Sequence, residues 1–469
     1  RRGTLARVNA EQHPASSTGR TGSVKLHLLD QATRLLGRGG RDALTIPAAA
    51  DLAGITVDEA KTLFSSDEDL YSEVSAFLDE RLRGFVDQEL TKLPADASVT
   101  QKLRANATGY FNQALDNPTY FAAYSRSKVA HQFPSFEAQI DNAPDLGAFP
   151  PATTRIIQLL VELTEEMGMP VDKALILRET MAVLSEIHGL AHLATFGIMR
   201  HLSPTAKRQT FQAALQTLLS GLVDTIKEGH ILAFEPEHIK GELLEPFTTK
   251  AKDMPRDTRD EAREALFRGA AEVVIARSVD GMTLEAAAEQ AGLPVSTARQ
   301  LFDGDAALLR ELEVHLDEAN TQTILRQSSF VSEGSPGLTY IKATGFGYLQ
   351  YALTDPVGFV ALIEIASRSI VPVSFDDEGG TAQPFDMGKA FTFLMNIVRD
   401  AISQSDGPRS TWVLYTQMMA LWASIHGVSQ LATIGVLTYD NQDFCYRITS
   451  RVMDILLRGM INVLELRPQ

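Results

Sequence analysis

Cysteine is almost missing from this chain. Cys445 is the only one, so no intrachain disulfide can form, which suits a reducing compartment. Net positive charge is missing too. A formal charge of −16 excludes a surface that is basic throughout. Phosphate neutralisation supplies most of a protein's affinity for nucleic acid, so any such contact must sit on local basic patches. No uninterrupted apolar run is long enough to span a bilayer. Residues 1–22 lack the apolar segment of a secretion signal. From these absences the expectation is a cytoplasmic chain with no membrane partner. Also absent are a phosphate-binding glycine loop, a nucleophile elbow and a catalytic triad. Gly345-Phe346-Gly347 lacks the preceding strand and the third glycine of a dinucleotide site. The expectation is a non-enzyme with no cofactor.

What is there is a chain of 469 residues, 44% hydrophobic and 22% charged, a globular composition too long for one ordinary core. Residues 1–22 form a tail with Arg1, Arg2, Arg7 and Arg20, followed by Lys25, opposed only by Glu11. It reads equally as a basic patch for DNA or as a solvated terminus. The segment Ile187-His188-Gly189-Leu190-Ala191-His192-Leu193-Ala194-Thr195 recurs as Ile425-His426-Gly427-Val428-Ser429-Gln430-Leu431-Ala432-Thr433. The offset is 426 − 188 = 238. The same offset carries Thr45 to Thr283, Gly54 to Gly292, Phe64 to Phe302, Asp67 to Asp305, Tyr110 to Tyr348 and Phe121 to Phe359. One register held from front to back of each half indicates a tandem duplication.

Apolar residues follow helical spacing almost everywhere, so the fold class is all-α. Leu26, Leu29, Ala32, Leu35 and Leu36 make one stripe. Thr45 then opens a short helix ending at Gly54, Thr56 opens another reaching Phe64, and Ser66 opens a longer one. The second half predicts helices from about Asp260 to Arg277, Thr283 to Gly292, and Pro294 to Phe302, with Pro294 in a first turn. Two short helices joined by a glycine-containing turn are a helix-turn-helix. Its second helix can enter a major groove.

The residues Thr45…Ala53-Gly54-Ile55-Thr56…Leu63-Phe64…Leu70, with Thr283…Ala291-Gly292…Leu301-Phe302…Leu308, resemble the N-terminal module of tetracycline-repressor (TetR) type regulators. The two His-Gly segments, with Trp422 near the second, resemble a Trp-His-Gly element of the C-terminal domain in some members. The resemblance implies two protomers joined through their last two helices, two recognition helices on DNA, and a helical pocket for a small, often apolar effector. Here both protomers would lie in one chain. Each TetR-like unit would pair an N-terminal helix-turn-helix with a C-terminal helical bundle, and the two would form an intramolecular pseudo-dimer. Met181, Leu184, Ile187, Ala191 and Ala194 would face Met418, Leu421, Ile425 and Leu431 in a four-helix seam, with Gly189, Gly197, Gly427 and Gly435 allowing close approach. The expected domains are a tail 1–22, helix-turn-helix unit 23–92, ligand and dimerisation domain 93–229, linker 230–258, second helix-turn-helix unit 259–325 and second ligand domain 326–469.

The halves depart from the family pattern in charge. A recognition-helix Tyr and a following Lys, both on phosphate in the family, are replaced by Lys61 and Asp67 in one half and by Arg299 and Asp305 in the other. Asp58 and Glu59 further weaken the first recognition surface, although Thr56-x-x-Glu59 is a capping box. The expected DNA contacts are Thr45, Thr56, Lys61 and Thr62, and Thr283, Ser296, Thr297, Arg299 and Gln300. The second half is the better reader, and unlike recognition helices predict a non-palindromic operator on double-stranded DNA.

For a small, apolar effector the candidates are Phe111, Tyr124, Met181 and His188, and Tyr348, Phe391, Met395, Met418, Trp422 and His426. Core packing is the competing reading for most of them. His188 and His192 have a metal-compatible spacing, yet Gln430 breaks it in the second half and no third ligand stands near, so no metal is expected. The whole predicts a small-molecule-responsive regulator, a repressor by family habit. The alternative is a helical ligand-binding or protein-interaction module whose helix-turn-helix units no longer bind DNA.

Overall fold

The computed structural model describes residues 17–126, 149, 151–228, 258–369, 388–403, 407, 409–433 and 442–466. The tail ahead of residue 17, the expected linker apart from Thr258, and Gly435 lie outside the described residues. Among the described residues there are 18 α-helices and no strand. The first half supplies α1 (Ser17–Ala43), α2 (Ile46–Ala53), α3 (Val57–Leu63), α4 (Asp67–Leu90), α5 (Val99–Asp116) and α6 (Pro118–Arg126). It continues with α7 (Pro151–Glu166), α8 (Lys173–Thr195) and α9 (Pro204–Glu228). The second half supplies α10 (Thr258–Arg277), α11 (Leu284–Gln290), α12 (Val295–Leu301), α13 (Asp305–Ser328), α14 (Gly337–Thr354) and α15 (Pro356–Ser369). It ends with α16 (Lys389–Ser403), α17 (Thr411–Thr433) and α18 (Gln442–Leu464). From α2 and α11 onward, each pair of matching helices begins 238 residues apart, the separation of the opposed pair Glu186 and Ser424. No single helix among them is long and apolar enough to cross a membrane.

The described residues fall into two compact units. Residues 17–80 with 119–126 form the first, and the remainder form the second. In the first unit Leu28, Leu36, Ala49, Phe64, Leu70 and Val74 form a common core. The α2–α3 turn closes because Gly54 takes φ 67°, a left-handed conformation that costs a glycine little.

The second unit holds both C-terminal bundles. In it α8, α9, α17 and α18 all touch one another. The contacts are reciprocal. A Cβ at Gly189 would overlap the carbonyl oxygen of Ala423, and one at Gly427 would overlap that of Ser185. In the other helix pair, α9 with α18, Gly221 meets the Ile455 carbonyl and Gly459 meets that of Thr217. Position for position, each contact is the other's image, the pattern of an isologous interface. Glycine is needed at these crossings because any side chain would drive two backbones apart. Gly197 does not take part; it faces its own Leu193. Met181, Ile187, Ala191, Ala194, Met418 and Leu431 are buried in this region, whereas Leu421 and Ile425 also line a cavity in the second half.

Polar groups cross the same seam. The Arg451 guanidinium donates through Nε to Glu179 Oε1 at 2.8 Å, and both side chains are buried. Gln417 Nε2 donates to Thr217 Oγ1 at 3.1 Å, and Ser424 donates to Glu186. Burial pushes the Glu186 carboxyl up to about 8, so it is mostly a neutral acid at neutral pH.

Candidate nucleic-acid interface and ligand cavity

Each helix-turn-helix is built by caps the sequence announces. Thr45 accepts from the Ala48 amide at 3.3 Å, and Thr283 accepts from the Ala286 amide at 3.1 Å. Thr56 and Glu59 cap one another: the Glu59 amide donates to Thr56 Oγ1 at 3.2 Å, and the Thr56 amide donates to Glu59 Oε2 at 3.0 Å. Such caps each hold a helix start by about 1 kcal/mol. Pro294 stands one position ahead of the first helical residue, Val295, rather than within the turn. Asp67 and Asp305 have a structural use that charge patterning does not reveal. Asp67 Oδ1 accepts the Ile46 amide at 2.7 Å, and Asp305 Oδ1 accepts the Leu284 amide at 2.6 Å. The acid at the start of the fourth helix therefore ties down the start of the second in both halves.

The exposed surfaces of α3 and α12 differ. On α3, Thr56, Lys61 and Thr62 are exposed beside Asp58 and Glu59, and Thr62 donates back to the Glu59 carbonyl at 2.7 Å. On α12, Ser296, Arg299 and Gln300 are exposed and Thr297 is half-buried. Arg299 pairs with Glu285 of α11 at 2.8 Å across an exposed surface. That pair is worth little in water, so it restrains Arg299 only weakly.

The second half forms a half-open cavity of about 310 Å³. Its walls come from α13, α14, α15, α16, α17 and Met453 of α18. Tyr348, Phe391 and Trp422 of the expected effector residues line it, and the Phe391 and Trp422 rings lie 5.1 Å apart. Met395, Met418 and His426 do not line it. His426 instead joins a buried polar chain: its Nδ1 meets the Tyr348 hydroxyl at 3.1 Å and its Nε2 meets His192 Nδ1 at 3.0 Å. In the first half the same geometry recurs, with the Tyr110 hydroxyl 2.9 Å from His188 Nδ1. Burial lowers His188 to about 4 and pushes His426 well below its ordinary value, so both rings are neutral. Phe111 stacks on Phe211 at 4.1 Å, and Met181 is fully buried. Tyr124 lies in the first compact unit, where burial and the nearby Asp79 carboxylate raise its hydroxyl pKa. No group of three metal-capable side chains occurs among the described residues.

Two wall helices also hold the second helix-turn-helix. α13, which carries Glu313, Asp317, Asn320 and Ile324 into the cavity, begins three residues after Phe302. α15, which carries Leu362, Ile363 and Ala366, ends with Arg368 bound to Asp280 in the turn before α11, one link being 3.0 Å. Sequence periodicity gave no sign of this second link, because its partners stand 88 residues apart.

Residues 103–218 match the family described as tetracyclin repressor-like, C-terminal domain. This span runs from α5 into α9, about a quarter of the chain, and supports the tetracycline-repressor family. No curated protein matches the chain.

Proposed function

We propose that the chain is a small-molecule-responsive transcriptional regulator in which two TetR-like units, joined by duplication, form a covalent pseudo-dimer on an asymmetric operator. The observation that carries this reading is the reciprocity of the Gly189–Ala423 and Gly427–Ser185 crossings, together with a capped helix-turn-helix in each half. The proposed units are 23–92 with 93–229, and 259–325 with 326–469, joined by 230–258. Linking the halves removes the concentration dependence of pairing and frees them to diverge. Repression follows if effector and operator prefer different arrangements of the second helix-turn-helix. Because α13 and α15 both bound the cavity and hold that module, ligand occupancy reaches it directly. The protein is read as non-enzymatic and cytoplasmic, acting on double-stranded DNA.

Operator fragments selected from genomic DNA with purified protein, followed by gel shifts over a salt series, test the reading. Arg299→Ala is expected to weaken binding about tenfold and to reduce the salt slope by about one unit. Lys61→Ala is expected to do less, because Asp58 and Glu59 already oppose phosphate there. A symmetrised palindrome that binds as tightly as the natural site contradicts the asymmetry. A second reading, a ligand-binding module that has left DNA, draws support from those acids and from the Arg299–Glu285 pair. It wins if no fragment shows salt-dependent binding at low ionic strength.

A further inference from the structure

The cavity of the second half is apolar over most of its wall, with Ile324, Ile341, Leu362, Leu394 and Met453 among its lining residues. Thr344 and Tyr348 of α14 and Trp422 of α17 bring polar atoms to it, but its acids and its amide sit on one helix. Glu313, Asp317 and Asn320 of α13 lie within two turns of one another, and no Lys, Arg or His among the described residues lines the space. Lys389, beside the lining residues Gly388 and Ala390, places its ammonium 2.6 Å from Glu318. Asn320 is 5% exposed, and its Oδ1 has no hydrogen-bond partner. A buried acceptor left so costs about 1–3 kcal/mol until something donates to it. Asp317 already accepts the Lys389 backbone amide and lies near that ammonium. The Asn320 oxygen still asks for a donor, and the faces of Tyr348, Phe391 and Trp422 attract a positive charge beside the Asp317 carboxylate.

The geometry points to a lipophilic cation as the ligand of this cavity: an amine or onium group held at Asp317 and Asn320, on an aromatic or aliphatic body within the apolar wall. The inference rests on the regulator reading only for its consequence, not for the binding itself. It also assigns the site to one half. At the positions 238 residues earlier stand Ser75 for Glu313, Leu82 for Asn320, Thr153 for Phe391 and Leu184 for Trp422. The first half thus lacks one acid, the amide and both of those rings, and one ligand per chain is expected.

Calorimetric titration of the full chain with tetraphenylphosphonium and with tetraphenylborate, similar in shape and opposite in charge, tests this. The phosphonium binds once per chain, and the borate binds at least about tenfold more weakly, as one poorly screened charge requires. Asp317→Asn, which keeps the shape, lowers phosphonium affinity about tenfold. Asn320→Leu, the first half's residue, lowers it as well and serves if the first variant does not fold. Overturning results are a borate that binds as well as the phosphonium, no phosphonium binding, two equal sites, or indifference of both variants. Gel shifts on the same preparation separate the two readings: lost operator binding with the calorimetry intact removes the regulator and leaves the cation site.

Discussion

Where the first half starts α3 with Thr56 and Glu59 locked in a mutual cap, the second starts α12 with Pro294 and exposes Ser296, Arg299 and Gln300. Where the first half has Leu184 and Thr153, the second has Trp422 and Phe391 around a cavity. On the seam the first half has Glu186 and Ala213, and the second has Ser424 and Arg451. Yet Thr45 and Thr283, Asp67 and Asp305, Gly189 and Gly427, and Gly221 and Gly459 do the same work in both. Positions that end, tie or cross helices are alike in the two halves, because geometry there tolerates few residues. Positions that offer charge or aromatic surface differ between them. On the proposed duplication, joining the halves lets each change appear once, where a symmetric pair of separate chains would show it twice.

The largest effect expected from breaking the comparison is at Arg451. Its counterpart is Ala213, so Arg451→Met asks whether the seam holds without a charge that the first half lacks at that position. Loss of the guanidinium leaves Glu179 buried without its cation, and a cost of about 3–5 kcal/mol is expected in urea unfolding. A cost below about 1 kcal/mol would mean the seam does not depend on this asymmetric pair.

A smaller, pH-dependent effect belongs to Glu186. Its folded pKa, about 8, lies above the ordinary carboxylate value of 4.5, so the folded chain holds a proton the unfolded chain has released. Stability therefore falls as pH rises through that interval, by about 1.4 kcal/mol per unit. His188, between about 4 and its ordinary 6.5, and His426, below that same value, work in the opposite direction, since their folded rings refuse a proton the unfolded ones accept. The histidines oppose the carboxyl below pH 6.5, and the fall is clearest from there to about 8. Glu186→Gln, which keeps a donor and acceptor beside Ser424, is expected to flatten that limb in thermal melts. An unchanged slope would place the proton elsewhere.

Much of this was legible in advance, and the reason is local. Thr45, Thr56 and Thr283 signal caps because a cap needs only its own next three residues. The 238-residue register and the Gly189 and Gly427 crossings follow from a segment long enough to align by eye. Gly221 and Gly459 were not legible: Ser220-Gly221-Leu222 and Arg458-Gly459-Met460 look like any helical glycine until α9 and α18 are laid together. The buried Lys342–Asp454 pair at 2.7 Å joins residues 112 apart, and nothing in either neighbourhood marks it. By charge sign alone Asp67 and Asp305 read as lost phosphate contacts; their hydrogen bonds to α2 and α11 explain why an acid stands there. Of the aromatic and Met candidates, composition showed which were apolar, but only helix placement separates Trp422 in the cavity from Met418 in the core.

The claim beneath all of this is that the two C-terminal bundles of one chain clasp each other. Asp224 and Asn462 stand at matching positions of α9 and α18, with Asn462 Nδ2 2.6 Å from Asp224 Oδ2. Asp224→Cys with Asn462→Cys, in a Cys445→Ala background, followed by mild oxidation and non-reducing electrophoresis at several protein concentrations, addresses it directly. The account predicts a disulfide closed within single chains, to the same extent at every concentration. Covalent dimers that grow with concentration, or free thiols throughout, would contradict it.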